Sequence, residues 1–276
     1  MTLIVGCGTI TVRKFERRDF LVYNYHTHTA LCGHAMGEMR DYVEKAIEAG
    51  IKRLGFADHS VQFYDNGFVS GMRMRPDQAE KYVKDVKALS EEYRSDIDIY
   101  VGFEAEYFPR LFPRLRQFCR DCGVDYLIMG QHCLTDESVT ELWGGNGTTD
   151  PALLKKYVDE VLEGAETGAF TYICHPDMFR FLGDDEIYNA EFTRLCDGLK
   201  ALDIPLEINL LGIRGGRHYP SDRFFKLAAS RGCSFVLGCD AHDPESLLDQ
   251  SAPAKALEFM KANGISGFIE PTLRRI

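Results

Sequence analysis

Seven of the eight histidines in this 276-residue chain stand where an extended run gives way to a loop. His26 and His28 close YNYHTHT, and His34 follows in the next loop. His59 closes GFADHS, His132 closes MGQHCL, His175 closes YICHPD, and His242 lies in GCDAHDP. Glu104 ends the run VGFEAEY, and Asp240 ends another just before His242. Only His218 is away from such an end. Imidazole nitrogen and carboxylate oxygen are the donors that suit Zn, Fe and Mn. In His26-x-His28 and Asp240-x-His242 the two side chains point the same way, because an extended chain repeats every two residues. A lone histidine at a strand end is usually a hydrogen-bonded loop residue. Seven at equivalent positions, with two carboxylates, read as a metal site.

The elements that must carry these residues alternate. Short β-rich runs at 22–26, 53–57, 97–104, 126–130, 170–174, 205–209 and 235–238 read as strands. Amphipathic runs at 39–49, 76–93, 110–122, 150–167, 190–202, 222–231 and 253–263 read as helices. Pro76 marks one helix start, and Asp150 is the expected N-cap of another. Repeated β-α units build parallel sheets covered by helices. This many in about 250 residues predicts a closed or distorted barrel, with an open doubly wound sheet as the alternative. In a barrel all strand C-termini open on one face, so nine dispersed residues would converge on one mouth.

Composition narrows the partners. Lys+Arg is 32 against Asp+Glu 42, a formal charge of −10. A chain this acidic lacks the footprint of a protein for nucleic acid or an anionic membrane. No window approaches the about 18 apolar residues that a spanning helix needs. The nine cysteines are an odd number in a chain too large to depend on disulfides, which predicts reduced thiols and a cytoplasmic location. Cys119 and Cys122 form a CxxC, but a second one is missing and the pair falls at a helix end, so a structural role is expected. Residues 1–20 place basic residues after a short apolar stretch, the reverse of a signal peptide. They read as an N-terminal extension before one domain spanning 21–276.

Taken in order, His26-Thr27-His28-Thr29, Ala57-Asp58-His59-Ser60, Gly102-Phe103-Glu104, Gly130-Gln131-His132, His175-Pro176-Asp177, Glu207-x-Asn209 and Gly238-Cys239-Asp240-Ala241-His242 resemble the polymerase and histidinol phosphatase (PHP) superfamily. The match runs from about residue 22 to 250. Met72-Arg73-Met74 and Leu211-Gly212-Ile213-Arg214 look like its histidinol-phosphatase branch. The tyrosine-phosphatase branch carries a paired aspartate in its first motif, absent here. The resemblance implies a distorted seven-stranded (β/α) barrel, three divalent metal ions (Zn, Fe or Mn) and hydrolysis of a small phosphate monoester. It also implies the ligand sets. His26, His28, Glu104 and Asp240 would hold one ion. Glu104 would bridge to a second, held by His132 and His175, and His34, His59 and His242 would hold the third.

Phosphate needs further partners. Arg180 follows the His-Pro-Asp motif and Arg214 follows Glu207-x-Asn209, and either guanidinium could hold phosphate through two parallel hydrogen bonds. Asp177 could protonate the leaving alcohol or orient His175, and Glu207 could orient a ligand. Glu106 and His218 read as surface groups or as partners for a cationic substrate tail. Surplus carboxylates such as Glu106 and Asp177 would favour the amine and imidazole of histidinol phosphate. Two other readings are a nucleic-acid phosphodiesterase and a non-catalytic metal-binding module.

Overall fold

The computed structural model describes residues 21–140 and 142–276; the expected extension at 1–20 lies outside the described residues. Seven strands form at the seven expected runs: β1 (Tyr23–Asn24), β2 (Arg53–His59), β3 (Asp98–Ala105), β4 (Tyr126–Met129), β5 (Phe170–Ile173), β6 (Leu206–Asn209) and β7 (Phe235–Gly238). They are parallel and paired in sequential order. Strands β4 to β7 are buried along their whole length, as strands covered on both faces must be. The sheet is the distorted seven-stranded (β/α) barrel, and the open-sheet alternative falls away.

The helices are α1 (Met39–Glu48), α2 (Pro76–Glu92), α3 (Phe112–Cys122), α4 (Pro151–Glu166), α5 (Asp185–Ala201), α6 (Leu210–Gly215), α7 (Asp222–Arg231) and α8 (Ser251–Ala262). Pro76 opens α2, and the Asp150 carboxylate accepts from Ala152 N at 2.9 Å to cap α4. Helix α5 begins earlier than the expected residue 190. Asp184 caps it, accepting from Glu186 N and Ile187 N, so the helix starts at a polar cap ahead of its apolar periodicity. Helix α6 was not foreseen, because six residues are too few to show a period. The Asn209 side chain starts it directly at the end of β6, accepting from Gly212 N at 2.8 Å. Cys119 packs in the core on the inner face of α3, neither it nor Cys122 is in a disulfide, and Gly123 ends the helix in the left-handed conformation. The CxxC is structural.

The barrel interior is filled by aromatic residues, chiefly Tyr25, Tyr126 and Tyr172. Tyr126 donates its hydroxyl to Tyr25 O at 2.9 Å, and a Cβ on Gly102 would lie 2.5 Å from the Tyr126 ring. Below them the C-terminal segment crosses the barrel floor. Ile269 N donates to Phe235 O at 2.8 Å, and Arg274 N to Thr171 Oγ1 at 3.1 Å.

Strand β1 is too short to pair with β7, so the barrel closes just beyond the strands. Thr27 and Ala241 form an isolated bridge, His28 N donates to Ala241 O at 2.9 Å, and Ala241 N to His26 O at 3.2 Å. Cys239 N donates to the Asn24 side chain at 2.9 Å. This closure sets His26 and His28 beside Asp240 and His242, more than two hundred residues away in the chain.

Candidate metal centre and active site

All nine expected ligands meet at the C-terminal end of the barrel. Glu104, at the end of β3, is the hub. Its Oε1 is 2.7 Å from His175 Nε2 and 3.5 Å from His132 Nε2. Its Oε2 is 3.1 Å from His59 Nδ1 and 3.5 Å from both His26 Nε2 and His28 Nε2. Asp240 Oδ1 lies 3.1 Å from His28 Nε2 and 3.5 Å from His26 Nε2. The rings of His34 and His242 stack at 4.9 Å, and His242 stacks on His28 at 4.1 Å. His34 is exposed and His242 half-buried, so this end of the cluster faces solvent.

Neighbours fix which nitrogen of several rings faces the centre. Glu207 Oε1 sits 2.7 Å from His26 Nδ1, Cys32 O is 3.0 Å from His34 Nδ1, and Asp240 O is 3.1 Å from His242 Nδ1. Holding Nδ1–H in this way leaves Nε2 as the donor to a metal. Glu207 thus stands where a residue orienting His26 would stand. Its Oε2 also accepts from His175 N at 3.0 Å and from the Asn209 side chain at 2.9 Å. His175 and Asp240 have positive φ, 27° and 48°. For residues other than glycine this costs about 1–3 kcal/mol each, and such strain concentrates at functional sites.

The donor set fits divalent cations. His26 Nε2, His28 Nε2 and Glu104 Oε2 are buried without a hydrogen-bond partner. Each such atom costs about 1–3 kcal/mol unless something occupies the space it faces. Burial opposes charge on Glu104 and Asp240, yet the surrounding histidines hold both well below the usual carboxylate range. Burial also opposes charge on His28, but the carboxylates of Asp240 and Asp58 beside its ring push it up to about 9. Burial takes His132 and His242 down to about 3. The carboxylates are thus ionised and these two imidazoles neutral, the forms that bind metals. Cys32 also lies near His34 and His242. Burial pushes its thiol up to about 12, and its sulfur accepts from Ala35 N at 3.3 Å.

The cluster forms the floor of a cavity of about 830 Å³ whose walls include Met72, Trp143, Leu211, Arg217, His218 and Tyr219. Trp143 stacks on His132 at 5.4 Å, and Arg217 donates to Tyr219 Oη at 2.7 Å. Arg217, Tyr219 and Trp143 did not stand out in the sequence, where they lie in glycine-flanked loops without a period. His218 does line the mouth, with Nε2 2.7 Å from Met178 O. Arg214 donates to Cys239 O at 3.3 Å behind the cluster. Arg180 is exposed outside the cavity lining. Asp177 lies beneath the rim, accepting from Ser221 N at 2.6 Å and so tying down the loop that carries Arg217. Burial pushes its carboxyl up to about 6, against the hydrogen bonds from Ser221. Glu106 does not face the mouth. It is 1% exposed and paired with Arg73, which removes it as a partner for a substrate tail.

The PHP domain model matches residues 24–210. The chain belongs to the PHP domain family. Within that family it is 30% identical over 238 residues to a Deinococcus radiodurans protein named "Probable histidinol-phosphatase", covering 79% of this chain and 85% of that one. It is 27% identical over 119 residues to the histidinol-phosphatase of Bacillus subtilis, covering 41% of this chain and 44% of that one. The fold is shared with the histidinol phosphate phosphatase of Lactococcus lactis, solved with zinc, L-histidinol and phosphate. The TM-score is 0.68 at 18% identity, over 92% of this chain and 96% of that one. PHP-family membership agrees with the barrel and with a metal centre at its C-terminal face.

Proposed function

We propose that this chain is a metal-dependent phosphomonoesterase that hydrolyses L-histidinol phosphate to L-histidinol and inorganic phosphate. The observation that carries the reading is the Glu104 hub, with five histidines within 3.5 Å of one carboxylate. We assign three ions, Zn, Fe or Mn, to the sets around His26, His28 and Asp240, around His132 and His175, and around His34, His59 and His242, with Glu104 shared by the first two. Divalent ions there supply neutralisation of the phosphate oxygens and a water acidified toward neutral pH.

The protein's own groups do the rest. Arg217 on the rim meets the anionic end of the ester through charge-assisted hydrogen bonds, and Arg214, held on Cys239 O, adds positive charge beside the Asp240 segment. Trp143, Met72 and Leu211 give an apolar wall against which a flat imidazole packs and from which water is excluded. Asp177 stays a candidate proton donor to the leaving alcohol as well as the support of the Arg217 loop. No helix among the described residues is long and apolar enough to cross a membrane.

The decisive assay measures phosphate release from L-histidinol phosphate, nucleoside monophosphates and sugar phosphates on protein loaded in turn with Mn, Zn and Fe. Histidinol phosphate is expected to have the highest kcat/KM. A nucleotide or sugar phosphate turned over about tenfold more efficiently would end this assignment. Digestion of single-stranded DNA would move the reading to a phosphodiesterase.

Arg214→Ala and Arg217→Ala are each expected to lose about tenfold to a hundredfold in kcat/KM, roughly 1.5–3 kcal/mol, with metal content unchanged. Arg180→Ala, in the same assay, tests whether that arginine reaches the phosphate. Wild-type kinetics in any of the three return that arginine to the surface.

A further inference from the structure

The Met72-Arg73-Met74 motif has a use beyond its resemblance. Met72 lines the cavity, while Arg73 turns inward and is 5% exposed. Its guanidinium is shared among three acceptors on different segments. Nη2 lies 2.5 Å from Glu106 Oε2, Nε 2.7 Å from Glu137 Oε1, and Nη1 3.3 Å from Ser60 O. Ser60 directly follows the ligand His59, and Glu106 is two residues beyond Glu104. Glu106 Oε1 accepts from Cys133 N at 2.9 Å and lies 3.8 Å from Nδ1 of His132. Arg73 and Glu106 together thus tie the ends of β2, β3 and β4, which carry three members of the cluster.

A buried ion pair is a poor device for stability alone, because desolvation cancels most of the attraction. An apolar pair of similar volume would join these segments as well. What it could not do is present a carboxylate to the outer nitrogen of His132. His26, His34 and His242 already have an oxygen at Nδ1. For His132 the nearby acidic oxygen on that side is Glu106 Oε1, at ion-pair distance.

We propose that Arg73 and Glu106 form a positioning pair for His132: Arg73 anchors the Glu106 carboxylate, which holds the His132–Cys133 backbone and faces Nδ1 so that Nε2 is delivered to the Glu104 side of the centre. The proposal rests on the reading of His132 as a metal ligand. An orienting carboxylate of this kind is worth about tenfold to a hundredfold in metal affinity or activity.

The test replaces the pair, in Arg73→Met with Glu106→Gln, so that Glu106 is not left as an unpaired buried charge, while Glu137 keeps the hydrogen bond from the Tyr64 hydroxyl. Metal retention is measured by elemental analysis after graded dialysis against a chelator, below the melting temperature, alongside the melting temperature of metal-free protein and steady-state kinetics. The double variant is expected to melt within a few degrees of metal-free wild type, to lose ions at about tenfold to a hundredfold lower chelator concentration, and to fall in kcat more than it rises in KM. Wild-type metal retention and kcat in the folded double variant would overturn the proposal. If that variant does not fold, Glu106→Asp keeps the charge but withdraws the carboxylate by one methylene. The same easier loss of metal is expected from it, and unchanged retention would overturn the proposal. Wild-type protein that binds no metal at all would instead remove His132 as a ligand, and the pair's role with it.

Discussion

Glu104→Gln is expected to empty the centre and abolish turnover. The substitution keeps the shape of the side chain and removes its charge, so a loss reports on electrostatics and ligation more than on packing. Glu104 Oε1 faces His175 and His132, while Oε2 faces His59, His26 and His28. A neutral amide offers one acceptor oxygen in place of two and turns an NH₂ toward nitrogens that need a cation between them. Ions held on both sides of the carboxylate would lose a ligand together. The expected fall in kcat/KM is about a thousandfold or more, about 4 kcal/mol at 1.36 kcal/mol per decade. Elemental analysis should show metal loss in the same preparation. Glu104→Gln protein with full metal content and wild-type turnover would remove Glu104 from the centre.

A single methyl group added to a residue that has no side chain of its own should do nearly as much damage. A Cβ on Gly130 would lie 1.9 Å from Glu104 Oε1 and 2.6 Å from its Cδ. A glutamate tip ordinarily moves aside at little cost, but this one is held between five imidazoles. Gly130→Ala must therefore either push the carboxylate out of the hub or shift the end of β4 that carries His132. Overpacking of this kind costs about 1–3 kcal/mol of stability. Displacing the hub should lower kcat/KM by about a hundredfold or more, about 2.7 kcal/mol. Gly71→Ala is the control, since nothing lies within 4 Å of a Cβ there and its φ is not positive. Equal activities in the two alanine variants would show that Glu104 has room to spare. Gly238 repeats the arrangement on the other side of the site, where a Cβ would lie 1.8 Å from Glu207 Oε1. Each of these glycines is set by the carboxylate on the neighbouring strand.

The chemistry of the donors was legible without coordinates. Strand ends are marked by local signals, the change from period-two apolar runs to polar loops, and parallel β-α repeats put all those ends on one face. The nine candidate ligands could therefore be named from residue type and position, and their division into sets came from the resemblance. The start of α5 was misread because the Asp184 cap precedes the apolar period, and α6 because it has no period. Arg217 was missed and Glu106 was read as surface for a common reason. Loop side chains are placed by partners that are remote in sequence, such as Asp177 for Ser221 and Arg73 for Glu106. No local pattern records those partners. The barrel's closure through Thr27 and Ala241 is of the same kind. Residue type and strand periodicity determined which atoms could bind metal. Only tertiary packing decided which nitrogen each ring presents, which arginine reaches the mouth, and which carboxylate is spent on holding the others in place.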